Sequence, residues 1–454
     1  MNRRITFTEA LLTAIGMVIG SGIFFRATRI LNFTEGNIGV AVLGWFVLGF
    51  TLVFAGIAMS VLASRSTREG GVIGYMADVY GDKAAFATGW FMTFIYSPLL
   101  IGILGIVSSI YMLDLFNVEG AGPGLIYGLA FVIIVIMWIW NYYSTKFAAL
   151  FSSAATVIKL LPIVIIGFLG MTKLDVGVMS DGLGAFNMTI FVAPLLSMAF
   201  AFNGWTDAAS LSRDMENPQR DIARVLALNA LIVTFAYVFY FTGMSMILHN
   251  MWGDQILDQL AIYGNAHVGQ AANAVLGSFG DKFITFCVVM SVLGTTNGLV
   301  MTGYRYPHAL AQAKDLPNSE YFVEESKYGT TGRASLISFV FTGIWFIFYT
   351  AQAFLDEGAA EGASHMLSGI TFDDIPVMLM SVIILLLLIK AAQVGMKEGY
   401  GVFKSIIAPI IGIIGQGYII YSFAATNEQW LLYTIICAVI VVIGFGVRST
   451  IKKG

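Results

Sequence analysis

Two short stretches decide the fold of this chain, and they read Gly16-Met17-Val18-Ile19-Gly20-Ser21-Gly22-Ile23-Phe24 and Phe200-Ala201-Phe202-Asn203-Gly204-Trp205-Thr206-Asp207. Each lies within a long apolar run. Clustered glycine and serine form a poor helix interior, and Asn-Gly is a typical turn dipeptide. Taken singly, the first stretch is explained equally well as a Gly-x-x-x-Gly surface on which a neighbouring helix packs. Taken together, the two stretches predict helices that are interrupted inside a membrane.

The composition places these runs in a lipid bilayer. Of the 454 residues, 58% are hydrophobic and 11% are charged, whereas soluble domains have about 45–50% and about 25%. The net charge is −3 and no block of basic residues is present, so we expect no nucleic-acid partner and see no obvious basic cluster for a specific lipid. The two cysteines lie in apolar runs and the four histidines lack ligand spacing. We therefore predict no disulfide scaffold, no metal site and no cofactor.

Twelve stretches are long, apolar and almost free of Asp, Glu, Lys and Arg. A helix that crosses the hydrocarbon needs about 20 such residues. The predicted spans are 10–25, 36–64, 84–113, 120–145, 147–172, 182–206, 225–253, 283–304, 334–355, 375–389, 405–427 and 429–447. We expect the first helix to start before Glu9 and the tenth to extend to Lys390. The sequence thus predicts an all-α polytopic membrane protein with 12 transmembrane helices.

Lysine and arginine set the predicted orientation. With the N-terminus inside, most of the 24 Lys and Arg residues face the cytoplasm, and the outside receives Arg26, Arg29, Lys173 and Lys282. The positive-inside rule then places both termini in the cytoplasm of a multi-pass cell-membrane protein. A signal peptide in residues 1–25 is disfavoured, because no good cleavage site is present and eleven more spans follow.

The two interruptions fall in the first and sixth predicted spans. Two halves of five crossings each insert in opposite orientations, so an inverted repeat predicts a break in the first helix of each half. We predict a first repeat in residues 1–175, an inverted second repeat in 176–395, and two additional helices in 396–454.

Interrupted helices expose backbone groups that bind charge. N–H groups are free at the start of one half-helix and carbonyls at the end of the other. A zwitterion is bound in this way without a charged side chain, which is costly in a membrane, so an amino acid fits best. The predicted carboxylate ligands are the amides of Gly20, Ser21 and Gly22, and the predicted ammonium ligands are carbonyls near Val18, Phe200 and Asn203.

Lys159 is the one ionisable residue deep inside a predicted span, and such a residue is a functional hypothesis by default. As a fixed ammonium it would replace a coupling cation and tie span 5 to the carbonyls of span 1 and to the hydroxyls of span 8. The candidate hydroxyls are those of Ser291, Thr295 and Thr296. As a buried amine it would instead release and take up a proton. Both interpretations stay open.

Three further side chains are weaker candidates. Asp207 lies just after the second break, where it is a candidate for a cytoplasmic gate or an ordinary helix-end carboxylate. Tyr237 and Tyr240 of span 7 are candidates for reaching the pocket, although the chain has 19 tyrosines.

The first stretch is similar to the first-helix signature of the amino acid–polyamine–organocation superfamily. Other segments resemble its L-amino-acid transporter branch, and bacterial alanine–serine–cysteine exchangers within that branch. They are Gly70-Gly71 with Tyr75, the stretch 200–205, the lysine of span 5, the segment Asp214-Met215-Glu216-Asn217-Pro218-Gln219-Arg220-Asp221-Ile222, and the run from Tyr304-Arg305-Tyr306 to Asp315-Leu316-Pro317. The resemblance covers residues 5–450, roughly.

This resemblance implies the leucine-transporter-type fold, with ten core helices in two inverted repeats plus two more, and sodium-independent one-for-one exchange. It implies that Phe202 and Trp205 border the cavity and that Lys159 links helices 1, 5 and 8. Asn203 stands where large-substrate members often have glycine, which favours small substrates. The loop after span 3 lacks the cysteine of animal members, so we expect no disulfide-linked heavy-chain partner.

We therefore predict a transporter and not an enzyme: a sodium-independent antiporter of small neutral L-amino acids such as alanine, serine and cysteine, working by alternating access. A proton-coupled amino acid symporter, with Lys159 as the titrating group, is the alternative. A membrane-embedded enzyme would need an Asp/Glu/His cluster, and a channel would need a ring of charge or a filter-like loop. The sequence indicates neither.

Overall fold

The computed structural model describes residues 6–66, 68, 71–118, 120–206, 215–324, 332–358 and 371–451. Within these ranges the regular structure is helical. The helices are α1 (Phe7–Val18), α2 (Gly22–Phe25), α3 (Ala27–Phe33), α4 (Ile38–Ala63), α5 (Val72–Tyr80), α6 (Asp82–Phe91), α7 (Ser97–Leu115), α8 (Pro123–Tyr143), α9 (Thr145–Ile158), α10 (Leu160–Met171), α11 (Val176–Gly184), α12 (Met188–Val192), α13 (Leu195–Ala201), α14 (Pro218–Trp252), α15 (Ile256–Tyr263), α16 (His267–Gly303), α17 (Arg305–Gln312), α18 (Ser319–Val323), α19 (Gly332–Gly358), α20 (Asp374–Glu398), α21 (Ala408–Thr426) and α22 (Trp430–Ile451). π-Helical turns at Met92–Tyr96 and Phe403–Ile407 precede α7 and α21.

The helices confirm an all-α membrane protein. By length and composition, ten helical stretches of the described residues can cross a membrane, or eleven if the bent pair Val176–Gly184 and Met188–Ala201 is one span. One of the ten stretches, Arg220–Gln312, contains most of α14 and all of α16. The sequence separates these two helices as spans 7 and 8. The predicted count of twelve is therefore approximate.

The first span starts before Glu9 and ends at residue 25, as predicted. The Thr6 hydroxyl and the Glu9 carboxylate form a reciprocal capping box at the start of α1, which confirms that the helix starts before Glu9. The sequence ends this span at residue 25, as does the apolar helical stretch Phe7–Phe25, and α3 follows after a turn at Arg26. Arg26, the next residue, is buried (3% exposed) and its charge lies against aromatic rings.

The chain divides into two compact units, each built from three segments. The first comprises Met1–Gly81, Ile158–Val288 and Val377–Thr426, and the second comprises Asp82–Val157, Val289–Pro376 and Asn427–Gly454. In the first unit α14 packs on α1, α4 and α10, and in the second α7 packs on α8 and α19. Each unit draws segments from both predicted repeats. The repeat boundaries at residues 175 and 395 thus stay a prediction about symmetry rather than about compact units.

Glycines let α10 and α14 of the first unit touch through their backbones. A Cβ atom at Gly243 of α14 would lie 2.6 Å from the carbonyl oxygen of Gly167, and a Cβ atom at Gly170 would collide with the Gly243 backbone. Small residues at a helix crossing permit this close approach. We call Gly167, Gly170 and Gly243 the glycine seam.

A buried amide cluster joins three helices of the second unit. Asn297 Oδ1 accepts hydrogen bonds from Trp140 Nε1 (2.6 Å) and Asn141 Nδ2 (2.7 Å). Asn297 Nδ2 donates to the Ala148 carbonyl (2.9 Å) and to Ser152 Oγ (2.7 Å). All the hydrogen-bonding positions of the Asn297 amide are thus used, which fixes α16 against α8 and α9.

Candidate functional site

The first span is interrupted where the sequence predicts. Helix α1 ends at Val18, and Ile19 has the extended angles φ −64° and ψ 99°. Helix α2 begins at Gly22, so Gly20 and Ser21 lie in a non-helical turn that is fully buried. Carbonyls at the end of α1 and amides at the start of α2 therefore meet at one place.

The sixth span is also interrupted where the sequence predicts. Helix α13 ends at Ala201, and a turn follows over residues 202–206. Gly204 has φ +96°, a region that residues with a side chain rarely adopt. Asn203 Oδ1 accepts a hydrogen bond from the Gly204 amide at 3.2 Å. The candidate gate residue Asp207 lies outside the described residues.

The two interruptions touch each other through glycine. A Cβ atom at Gly22 would lie 2.7 Å from the Ala201 Cα atom, and one at Gly204 would lie 2.8 Å from the Met17 carbonyl oxygen. Real side chains do not tolerate such distances. The glycines of both motifs are thus explained by the direct contact of the two broken helices.

Tyr237 of α14 hydrogen-bonds to both interrupted helices. Its hydroxyl donates to the carbonyls of Val18 (3.0 Å) and Ala201 (2.9 Å), which end α1 and α13. A hydroxyl has one proton, so the two carbonyls share it. The structure therefore places Tyr237, one of two tyrosine candidates, at both interruptions.

The aromatic rings around Tyr237 form a closed core. The Phe202 ring centroid lies 5.1 Å from that of Tyr237 and 5.8 Å from that of Trp45. Phe202 is 1% exposed and Trp205 is 5% exposed. Their predicted role at the border of a substrate cavity stays a prediction.

Lys159 lies between α9 and α10 and reaches the first span. Its side chain is buried, and Nζ donates to the Gly16 carbonyl at 2.6 Å, two residues before the end of α1. Ser291 and Thr295 belong to the second unit, where the Thr295 hydroxyl donates to the Ser291 carbonyl at 2.9 Å. The predicted contact of Lys159 with a carbonyl of span 1 is thus observed, and its link to span 8 stays a prediction.

Arg26 is a site residue that sequence reasoning missed. Its guanidinium carbon lies 4.1 Å from the ring centroid of Phe200 and 5.0 Å from that of Phe25. The two rings themselves meet edge to face at 5.4 Å. The Arg26 cation therefore connects the end of α2, the second half of span 1, to α13. The only signal in the sequence is an arginine that directly follows Phe24-Phe25.

Several hydroxyls near the interruptions are buried without hydrogen-bond partners among the described residues. They belong to Ser21 in the first break, Ser197 one turn before Ala201, and Tyr240, whose ring packs edge-on against Phe24 at 5.2 Å. Buried polar groups are normally hydrogen-bonded, so these groups are candidates for contact with a polar ligand.

In the described part of the chain, no group of three or more His, Cys, Asp or Glu residues could hold a metal ion.

Apolar spans that cross the bilayer, two of them interrupted and joined at the interruptions, define a multi-spanning membrane transporter. The fold is similar to the crystal structure of MhsT in complex with L-phenylalanine, with a TM-score of 0.55 over 97% of this chain and 98% of that chain at 14% sequence identity. This similarity confirms the leucine-transporter-type fold. The chain belongs to the amino acid permease family, whose sequence model matches residues 5–446. The resemblance to the amino acid–polyamine–organocation superfamily is thereby confirmed.

Curated relatives in this family are amino acid transporters. The serine/threonine exchanger SteT of Bacillus subtilis (strain 168) is 29% identical over 320 residues, which are 70% of each chain. The large neutral amino acids transporter small subunit 2 of Homo sapiens is 25% identical over 339 residues, covering 70% of this chain and 59% of the relative. The human cystine/glutamate transporter is 25% identical over 327 residues, covering 70% and 62%. The matched part thus spans less than two thirds of the two human relatives.

Proposed function

We propose that this protein exchanges small neutral L-amino acids, such as alanine, serine and cysteine, across the cell membrane without sodium. The contact between the two interrupted helices carries the proposal, because amides and carbonyls with opposite charge preference meet there. The backbone from Gly20 to Gly22 would hold the carboxylate. Carbonyls at Val18, Phe200 and Asn203 would hold the amino group.

The ammonium of Lys159 supports sodium independence. Carbonyls at the end of a half-helix are typical ligands of a coupling sodium ion. In this protein the Gly16 carbonyl already accepts a hydrogen bond from Lys159 Nζ at 2.6 Å. A covalently attached cation in that place makes a dissociable one unnecessary.

Side chains at the second interruption support a small, uncharged substrate side chain. Asn203 occupies volume that glycine would leave open, and Phe202 and Trp205 on either side of it are large and buried. The buried guanidinium of Arg26 over Phe200 adds positive charge, which disfavours cationic side chains. The hydroxyls of Ser21 and Tyr240 would find hydrogen-bond partners on a bound amino acid.

Exchange requires that the carrier crosses slowly when it has no amino acid bound. A barrier that is higher by about 3 kcal/mol slows the crossing more than a hundredfold. We propose that bound substrate closes the half-helices of spans 1 and 6, and that one bundle of helices then rocks against the remaining scaffold to give alternating access. The division of the chain into two compact units supports this mechanism.

The test is uptake of radiolabelled L-alanine into sodium-free proteoliposomes that contain the purified protein. The vesicles are loaded with buffer or with unlabelled alanine, and each is measured with and without an inward proton gradient. We expect uptake only into alanine-loaded vesicles, with no effect of the gradient or of added sodium. Competition by serine and cysteine, but not by arginine, tests the substrate class.

Proton-coupled symport is the alternative, and one observation favours it. Lys159 is buried and has one hydrogen-bond acceptor among the described residues, so a neutral amine there leaves few groups unsatisfied. Concentrative, gradient-driven uptake into empty vesicles would establish symport and contradict exchange.

Topology and assembly are part of the same proposal. We place both termini in the cytoplasm, which labelling of single cysteines introduced at each end tests directly. We also propose that no heavy-chain partner is attached by a disulfide, since both cysteines, Cys287 and Cys437, are buried. Isolation of the protein from native membranes without reductant would reveal such a partner as a species of higher mass.

A further inference from the structure

A polar cavity lies away from the interrupted helices, within the first unit. It has a volume of about 540 Å³ and is formed by the end of α4, by α5 and by the last two turns of α20. Its charged lining residues are Arg65, Asp78, Lys390, Lys397 and Glu398. They come from three segments that are far apart in the sequence, so the sequence does not reveal the cluster.

Pairing within the cavity leaves a positive charge. Arg65 forms an ion pair with Glu398 at 2.6 Å, and Asp78 forms one with Arg68 at 3.2 Å. Among the described residues, neither Lys390 nor Lys397 has a carboxylate within ion-pair distance. The carboxylates of the cavity are thus neutralised by arginines, and two ammonium groups remain for a ligand.

The two lysines are arranged to hold an anion together. They are seven residues apart on α20, which places them on one face of the helix, two turns or about 10 Å apart. Lys390 is half-buried and its Nζ lies 5.1 Å from the ring centroid of Tyr80. Lys397 is exposed, and Gln393 lies between the two on the cavity wall. Phosphate, with several acceptor oxygens, suits such a set of donors.

The position of the cavity near the expected edge of the hydrocarbon favours a lipid as the source of the phosphate. Arg65 and Lys390 are the first charges after the apolar runs of α4 and α20, so they mark the edge of the hydrocarbon. One turn deeper on α20, Leu386 is exposed, and its carbonyl accepts a hydrogen bond from the exposed Tyr80 at 3.0 Å. A ligand with its phosphate at the lysines would therefore have an apolar surface below it for an acyl chain.

We propose that this cavity is a binding site for the phosphate group of an anionic phospholipid, held between Lys390 and Lys397. The site is independent of the proposed transport function, because no residue of the interrupted helices takes part in it. Basic side chains near a membrane surface each strengthen binding of anionic lipid about fivefold. Loss of both lysines is therefore expected to weaken binding about 25-fold.

The test is a binding titration of the purified full-length protein in neutral detergent, with lipid occupancy read by native mass spectrometry. Dioleoyl phosphatidylglycerol is compared with dioleoyl phosphatidylcholine, which has the same chains and no net charge. We expect preferential binding of phosphatidylglycerol by the wild type and about 25-fold weaker binding by K390Q/K397Q. The matched control K146Q/K173Q removes two exposed lysines elsewhere and is expected to bind as the wild type does.

Two further arms keep the outcome decisive. K390R/K397R retains both charges and is expected to retain binding, and the exposed single variant K397Q is expected to lose about fivefold even if the double variant folds poorly. Undiminished binding of phosphatidylglycerol by the glutamine variants overturns the site. Displacement of phosphatidylglycerol by millimolar glycerol 3-phosphate overturns the lipid as the source of the phosphate. Because binding is read directly, neither result depends on whether the protein exchanges amino acids.

Discussion

Replacing Tyr237 by phenylalanine tests whether the two interrupted helices work as one site. The change removes only the hydroxyl that donates to the carbonyls of Val18 and Ala201, and the ring keeps its contacts with Trp45 and Phe202. A buried carbonyl that loses its donor costs about 1–3 kcal/mol. If that free energy holds the half-helices in position for substrate, the apparent affinity for alanine falls about 5–150-fold. Scintillation proximity binding of labelled alanine to the purified variant measures this fall.

Tyr240→Phe is the matched control, with the same chemical change one turn along the same helix. Its hydroxyl has no hydrogen-bond partner among the described residues, so its removal is expected to leave the melting temperature measured without amino acid unchanged, or to raise it slightly. Tyr237→Phe should lower that melting temperature. Equal melting temperatures for wild type and Y237F, together with unchanged alanine affinity, would refute the role assigned to the Tyr237 hydroxyl.

Three more predictions address the other contacts. Lys159→Gln removes a charged donor worth about 1.5–3 kcal/mol and is expected to slow alanine–alanine exchange in proteoliposomes about 10–150-fold, so an unchanged rate speaks against a fixed charge there. Arg26→Gln removes a cation–π contact worth about 0.5–2 kcal/mol, so bound alanine should dissociate about 2–30-fold faster in a chase experiment. In a Phe200→Leu background, Arg26→Gln should leave the dissociation rate unchanged. A faster rate there would contradict the cation–π role of Arg26 over Phe200. Asn297→Leu removes the four hydrogen bonds of the Asn297 amide and should destabilise the protein by roughly 3 kcal/mol or more. Thr295→Val, which loses a bond within its own helix, should have a small effect on the melting temperature.

The fold was largely predictable because hydropathy and charge act along the chain. Charge-free runs located the membrane spans, and glycine with Asn-Gly located both interruptions. The burial of Arg26 was not predictable in this way, because its guanidinium lies against the ring of Phe200, which is distant in the sequence. The stretch Arg220–Gln312 holds two long helices, α14 and α16, where the sequence predicts spans 7 and 8.

The site was predictable in its backbone and less so in its side chains. Glycine and serine at the break of span 1 identify themselves by local conformational preference. The choice of Tyr237 among 19 tyrosines depends on which helix face meets two carbonyl groups, and that is a property of packing. The depth of Lys159 in its span indicated its importance, while the particular carbonyl that it reaches, that of Gly16, followed only from the structure.

The glycine seam has a mechanical consequence for the first span. Lys159 directly precedes α10 and Tyr237 lies six residues before Gly243 on α14, so the seam holds the supports of both donors at a fixed separation. The close backbone contact leaves no room between the two helices at the seam. The two donors therefore hold α1 at two points, the carbonyls of Gly16 and Val18. Movement of α1 away from α10 and α14 would break both hydrogen bonds, so the two donors together oppose its release.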